Sequence, residues 1–215
     1  MDLKESISIK GEFQLGTLTG TNWSKFYQFT KAERDRLWKE VHSLGFDDIL
    51  AFWRGFGARQ MDGCIASNRV VNLGLECAVV CIVNGANGVA VPTLNKLQQI
   101  CLGRDATAWS FPAAQTSLGS LIADGGGFDA ANATIASFSS GSAGAALDTV
   151  MASHTFVATN ASLYNTSPNG VKEAGILSQL NVTRTLYCRM VTPSTMTVST
   201  NGDSLIASYK SRLIG

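Results

Sequence analysis

The chain has 215 residues, of which 45% are hydrophobic and only 15% are charged, and its formal net charge at pH 7 is +1. This length can bury a sizeable core, but the near-neutral charge supplies no field that would attract nucleic acid or an anionic membrane. No apolar run approaches the roughly 18 residues of a membrane helix, and residues 1–10 lack the basic start and apolar run of a secretory signal. We therefore expect no nucleic-acid partner, no membrane insertion and synthesis in the cytoplasm.

Small neutral residues dominate the second half of the chain. Ser, Thr, Asn, Gly and Ala take the place of charged residues, which make up about 25% of an ordinary soluble domain. Such residues suit sheets and turns and can be buried against a neighbouring subunit. The composition therefore favours a component of an assembly over a freely diffusing enzyme.

The chain contains five cysteines, namely Cys64, Cys77, Cys81, Cys101 and Cys188. An odd number in a chain without an export signal argues against a secreted disulfide framework. Cys77 and Cys81 lie four residues apart, but no second Cys/His pair lies nearby to complete a tetrahedral zinc site. We therefore predict that the chain binds no metal and no cofactor. We also predict that most of the cysteines are buried and act as small apolar residues.

The N-terminal segment, residues 5–21, alternates loosely between apolar and polar positions. Alternation of this kind places apolar side chains on one face of a strand. The segment therefore predicts one or two short strands, with a turn at Gly11 or Gly16.

A helix-start signal follows. Thr30 and Glu33 form a capping-box pattern, in which the threonine hydroxyl accepts from the Glu33 amide while the carboxylate reaches back to the cap. Apolar residues then recur at helical spacing, and Gly45 is a plausible stop. The pattern predicts a helix over residues 31–44, with His42 at its surface or edge.

Aromatic residues crowd around this helix. Seven of them are the candidate interface residues: Trp23, Phe26, Tyr27, Phe29, Phe52, Trp53 and Phe56. One interpretation is a platform on which sugar rings stack. The other is packing within the chain or at a subunit interface, because each aromatic ring buries a large area at low entropic cost. We favour packing or interface.

A boundary is indicated near the middle of the chain. Residues 70–83 are rich in β-branched side chains and predict one or two buried strands. Asn and Gly residues at 84–88 then give strong turn chemistry. We therefore predict an N-terminal attachment or packing region at 1–88 and a second domain at 89–215. The glycines at 125–127 lack the Lys-Ser/Thr of a phosphate-binding loop and predict an ordinary loop.

The last third of the chain shows several short alternating segments. Residues 155–159, 186–191, 196–199 and 205–209 predict strands, and residues 201–203 (N-G-D) predict a turn. Short strands separated by regular turn signals are typical of antiparallel sandwiches and barrels. The predicted fold is therefore mainly β: an antiparallel β-sandwich C-terminal domain after a smaller α+β region that contains one clear helix.

Several segments of residues 89–215 resemble, in order, the motifs of a domain found in tailed-bacteriophage virion proteins. They are residues 100–108 and 115–122, similar to "L-G-T-G-x-T-A … Q-T-x-L-G-x-E-I"; 154–159, similar to "x-T-F-T-A-T"; 171–177, similar to "V-x-E-A-G-L-F"; and 186–189 with 198–206, similar to "L-x-A-R … V-x-x-G-D-x-L-x-V". Each motif is weak alone, whereas their common order over about half of the chain is fairly specific.

The resemblance implies a fibre, collar, spike, tail or head-decoration role and carries no catalytic residues. It does not extend to residues 1–88. Arg104 and Asp105 replace the usual small glycine turn, and Lys210 and Arg212 depart from the pattern of the last strand, which places the edge geometry in question.

The motif at 171–177 places a carboxylate, Glu173, among apolar residues. A buried carboxylate is costly unless it is paired. We predict a structural ion pair with Arg189 or Arg184.

These observations predict that the chain is a structural component of a tailed-phage particle. It would assemble with copies of itself and with other virion proteins. The alternative is a host-adsorption module that binds a cell-surface polysaccharide through the aromatic residues. An enzyme ranks third because neither histidine has an evident nucleophile or carboxylate partner and the acidic residues are scattered, apart from Asp47 and Asp48.

Overall fold

The computed structural model describes residues 8–67, 69–70, 97–107, 117–138, 149–180 and 183–214. This part of the chain is mainly β, with two antiparallel sheets and three α-helices. Almost all of the predicted strand region 70–83, and the turn at 84–88, lie outside the described residues. None of the described helices is long and apolar enough to cross a membrane.

The helices and strands have the following bounds. The helices are α1 (Trp23–Phe26), α2 (Lys31–Val41) and α3 (Phe46–Gly55), and a 3-10 turn spans Ala161–Leu163. The strands are β1 (Ser8–Thr19), β2 (Arg59–Ser67), β3 (Arg69–Val70), β4 (Leu97–Gly103), β5 (Ala131–Asn132), β6 (Thr134–Phe138), β7 (Thr149–Val157), β8 (Val171–Leu180), β9 (Thr183–Met196) and β10 (Ser204–Ile214).

The two sheets are linked at both of their ends. Sheet A has the order β2-β1-β10-β7-β6, and sheet B has the order β3-β9-β8-β4-β5. The stretch 59–70 pairs with β1 in sheet A and then with β9 in sheet B. The stretch 131–138 pairs with β4 in sheet B and then with β7 in sheet A. The strands at the ends of each sheet therefore continue into the other sheet, which shortens the free edges that would otherwise invite unwanted pairing.

One apolar core contains side chains from both sheets. Sheet A contributes Phe13, Leu15, Phe156 and Tyr209, and sheet B contributes Ile100, Leu102, Ile176 and Met190. Phe13 lies opposite Tyr209 in the β1–β10 register, with ring centroids 4.9 Å apart. Such cross-strand aromatic pairs add stability beyond the area that they bury.

The helices cover the opposite face of sheet A. Ile206 of β10 alternates with the core residues Leu205 and Ala207 and therefore points to the other side of the sheet. There it joins a second apolar cluster that includes Ile49 and Trp53 of α3. The molecule thus has an apolar cluster on each side of sheet A.

The capping box at Thr30 is confirmed, but several predicted bounds are wrong. Glu33 N donates to Thr30 Oγ1 at 3.3 Å, and Thr30 N donates to Glu33 Oε2 at 2.8 Å. The helix ends at Val41 rather than residue 44, and Gly45 is the N-cap of α3, which the sequence analysis missed. The N-terminal segment is one strand, β1, without a turn at Gly11 or Gly16.

The later strand predictions also need correction. The strand predicted at 155–159 lies within and just after β7, which starts at Thr149 and ends at Val157. The strand predicted at 196–199 does not exist separately, because β9 extends to residue 196 and the chain then turns. The predicted turn at 201–203 is present, with Gly202 at a φ of 92°.

Strand pairing crosses the predicted boundary at residue 88, which itself lies outside the described residues. β1 pairs with β10 along eleven register positions, and β3 pairs with β9. Residues before 88 therefore contribute strands to the same sheets as the C-terminal part of the chain. The division into an attachment or packing region at 1–88 and a second domain at 89–215 stays a prediction, and these long-range pairings leave no trace in local sequence.

Candidate functional site

The seven candidate interface residues divide between a buried cluster and an exposed surface. Phe26 and Trp53 are buried, and Trp23, Phe52 and Phe56 pack partly buried against the same cluster. Tyr27 and Phe29 remain 59% and 37% exposed. Most of the seven residues are therefore core or half-buried, and Tyr27 and Phe29 are the most exposed of them.

Polar atoms of the buried cluster fasten the helices to sheet A. Trp53 Nε1 donates to Thr155 Oγ1 at 3.1 Å, and His42 Nε2 lies 2.7 Å from the same hydroxyl. Trp23 Nε1 donates to the carbonyl oxygen of Gly202 at 2.6 Å. These bonds join residues more than 100 positions apart, so no local sequence pattern could have revealed them.

His42 is buried, which corrects the prediction that it lies at the surface or edge. It follows α2 and is fully enclosed, with Nδ1 2.8 Å from the carbonyl oxygen of Trp38. The pKa of His42 is lowered to about 4, chiefly by burial; the Trp38 bond acts in the opposite sense, and the neighbouring His154 adds a smaller lowering effect. Burial also lowers the pKa of His154 to about 4. Both imidazoles are therefore neutral at pH 7.

The exposed rings are held in place by a cation. Arg34 Nη1 donates to the carbonyl oxygen of Phe29 at 2.5 Å and to that of Tyr27 at 3.3 Å. Its guanidinium carbon lies 5.4 Å from the centre of the Tyr27 ring, and Lys25 Nζ lies 5.5 Å from the centre of the Phe56 ring. We call Lys25, Tyr27, Phe29 and Arg34 the aromatic tip. Arg34 therefore bonds to the backbone of both exposed residues and lies beside the Tyr27 ring.

The predicted ion pair is present between Glu173 and Arg189. Arg189 Nε donates to Glu173 Oε2 at 2.6 Å, and the two side chains are only 3% and 0% exposed. The strand register places Arg184 opposite Gln179, away from Glu173, whose register partner is Val191. The side chain of Arg184 lies outside the described part of the structure. Of the two predicted partners, Arg189 is the one that the structure shows paired with Glu173.

Glu173 also organises two loops. It accepts from the backbone N–H groups of Ser120 at 2.9 Å and of Gly119 and Asp105 at 3.3 Å. Asp105 contributes a second carboxylate, with Oδ2 3.2 Å from Arg189 Nη2. We call Glu173, Arg189 and Asp105 the carboxylate network. Both carboxylate oxygens of Glu173 thus accept hydrogen bonds. A buried carboxylate is tolerated under this condition.

The carboxylate network brings together separate motifs of the phage-domain resemblance. Asp105 comes from the segment 100–108, Gly119 and Ser120 from 115–122, Glu173 from 171–177, and Arg189 from 186–189. The motif glycines also have a role. A Cβ on Gly103 would collide with the Glu173 carboxylate, and a Cβ on Gly119 would collide with that of Asp105.

Arg104 and Asp105, which stand where the motif has a small glycine turn, form hydrogen bonds and ion pairs. Arg104 donates through Nη2 to Asp124 Oδ2 at 2.5 Å and through Nε to the carbonyl oxygen of Asn169 at 2.8 Å. Asp124 also accepts from the Tyr164 hydroxyl at 2.6 Å. Burial raises the pKa of Tyr164 well above its ordinary value, and the bond to Asp124 acts in the same direction. Arg104 and Asp105 therefore replace a small turn with side chains that tie neighbouring loops together.

The described ranges contain no cluster of potential metal ligands. No three His, Cys, Asp or Glu side chains converge there as metal ligands. Cys101 and Cys188 are buried and Cys64 is half-buried, whereas Cys77 and Cys81 lie outside these ranges. Burial raises the pKa of Cys101 far above its ordinary value, which keeps it protonated and a poor nucleophile.

The chain matches no protein family, no curated protein and no solved structure with which it was compared.

Proposed function

We propose that this protein is a non-enzymatic structural component of a tailed-bacteriophage particle and acts through contacts between subunits. The carboxylate network is the observation that carries the proposal. Four motif segments, separated by up to 84 positions for the Asp105–Arg189 pair, meet at one buried carboxylate. The motif positions Gly103, Gly119, Glu173 and Arg189 thus share one structural role in this chain, which supports the resemblance.

The proposal includes a β-sandwich fold. Two antiparallel sheets share one apolar core and are linked at both ends, as expected for two sheets packed face to face. Virion proteins of this kind act by presenting rigid surfaces to neighbouring subunits. The low charge of the chain and the exposed rings of the aromatic tip suit such surfaces.

The host-adsorption alternative depends on the same exposed rings. Tyr27 and Phe29 could stack on sugars, but the guanidinium of Arg34 lies over the Tyr27 ring. A ring with one face covered by a cation offers less stacking surface. Combined aromatic and arginine surfaces are more typical of protein interfaces, and this favours assembly over glycan binding.

Immunogold labelling tests the proposed function. Antibodies against the purified protein should label a fixed position on tailed particles released from the host that carries this gene. Native mass spectrometry of the purified protein then narrows the role: a trimer indicates a fibre or spike, a larger ring indicates a tail or collar, and a monomer that binds only assembled particles indicates decoration. Unlabelled particles together with tight binding to host polysaccharide would replace the structural role with adsorption.

A further inference from the structure

A groove lies beside the first turn of α3. It has a volume of about 350 Å³ and is lined by Phe46, Asp47 and Leu50 of the helix and by Gln14, Gln60 and Ile65 of the neighbouring strands. Ile65 is 67% exposed although it is a large apolar side chain. At about 30 Å³ per water molecule, the groove holds the space of roughly twelve waters, which is enough for the ring of a tyrosine. We call it the α3 groove.

The aromatic tip lies at the other end of the same helix. Phe56, which caps the C-terminus of α3, lies with its ring centre 5.7 Å from that of Phe26 and 6.5 Å from that of Phe29. The backbone N–H of Asn22, just before α1, donates to the Phe56 carbonyl oxygen at 2.8 Å. A helix of ten residues is about 15 Å long. The tip and the groove are therefore separate surfaces, placed at opposite ends of a rigid element.

The two surfaces carry opposite charge. Asp47 and Asp48 are exposed in the first turn of α3, and Glu12 accepts from Gln14 at the groove wall. The opposite end of the helix carries exposed Lys25 and Arg54. Glu33 and Asp35, the acidic residues near the tip, are held by the Thr30 cap and by Lys31 respectively. The first turn of α3 thus carries exposed carboxylates beside a groove with mixed apolar and polar lining, and the tip carries exposed cations and two exposed rings.

We propose that copies of this chain associate head to tail, with the aromatic tip of one copy in the α3 groove of the next. Tyr27 or Phe29 would fill the apolar space between Phe46 and Ile65, while Lys25 would approach Asp47. This inference depends on the proposed function and names the surfaces through which that function is carried out. Because the tip and the groove are different surfaces, one contact leaves one tip and one groove free, and further copies add until the assembly closes into a ring or continues as a filament.

Two complementary variants test the contact. The tip variant carries Lys25→Glu and Tyr27→Ala and keeps an intact groove. The groove variant carries Ile65→Lys and keeps an intact tip; Ile65 is exposed on an edge strand, so this change should leave the fold intact. Lys39→Glu, on the exposed side of α2, is the matched charge control. Circular dichroism and thermal melting establish that each variant folds.

Sedimentation velocity gives the outcome. When the tip variant or the groove variant is measured alone, the Kd of self-association should rise at least about 30-fold, which corresponds to the threshold of an interface hot spot. The Lys39→Glu control should assemble like the unchanged protein. An equal mixture of tip and groove variants should form a one-to-one dimer that does not grow, because only one tip and one groove remain functional.

Several results would overturn the head-to-tail contact. The first is that the mixture of tip and groove variants stays monomeric. The second is that either variant alone reaches the same assembly mass as the unchanged protein. The third is that the unchanged protein forms nothing larger than a dimer at any concentration. If these results came with gold-labelled particles, only the contact would be wrong and the structural role would stand. Unlabelled particles would count against the role itself.

Discussion

Replacement of Glu173 by alanine tests the carboxylate network directly. The change removes the acceptor for Arg189 and for the backbone N–H groups of Asp105, Gly119 and Ser120. A hydrogen bond to a charged group contributes about 1.5–3 kcal/mol, so a simple sum over the four donors would give about 6–12 kcal/mol. Two effects reduce the loss: Arg189 keeps Asp105 as a partner, and the surface loops can relax toward water. We therefore expect a loss of about 3–5 kcal/mol, the usual result of breaking a buried ion pair.

A double-mutant cycle separates the pair from the general effect of each truncation. Equilibrium unfolding in urea, followed by tryptophan fluorescence, is measured for Glu173→Ala, Arg189→Ala and the double variant. If the pair exists, the double variant should lose less than the sum of the single losses, because no buried charge is left without its partner. Arg184→Ala is the matched control and should show no coupling to Glu173. Additive losses in the Glu173–Arg189 cycle would refute the reasoning.

Two further predictions concern the helical layer. The pKa of His42 is about 4 in the folded chain against 6.5 for an unperturbed histidine, so the unfolded chain binds a proton first as the pH falls. The free energy of unfolding should therefore decrease by up to about 3 kcal/mol between pH 6.5 and 4, with His154 acting in the same direction. Urea curves across this range measure the loss, and a flat profile would contradict it; His42→Gln should make the profile shallower. Thr30→Ala removes the cap of α2 and should cost about 0.5–2 kcal/mol, measured by thermal melting with Thr30→Ser as control; an unchanged melting temperature would mean that the cap contributes nothing.

Local sequence patterns determined the features that depend on neighbouring residues. The capping box requires only Thr30 and Glu33, and the turn at 201–203 requires only residues that tolerate its backbone angles. The need of Glu173 for a cationic partner also follows from the sequence, because a carboxylate among apolar strand residues must be neutralised. In each case the physical cause acts within a few residues.

Only the tertiary structure decided which distant residues meet. Arg189 rather than Arg184 reaches Glu173 because the β8–β9 register places Arg184 at the far end of the strand pair. His42 is buried because β7 offers the Thr155 hydroxyl across 113 positions of sequence. The pairing of β1 with β10, which places residues before and after the predicted boundary in one sheet, depends on backbone hydrogen bonds that are available to almost any residue. Such bonds carry little sequence information, so the partner of a strand is chosen by the packing of the whole core.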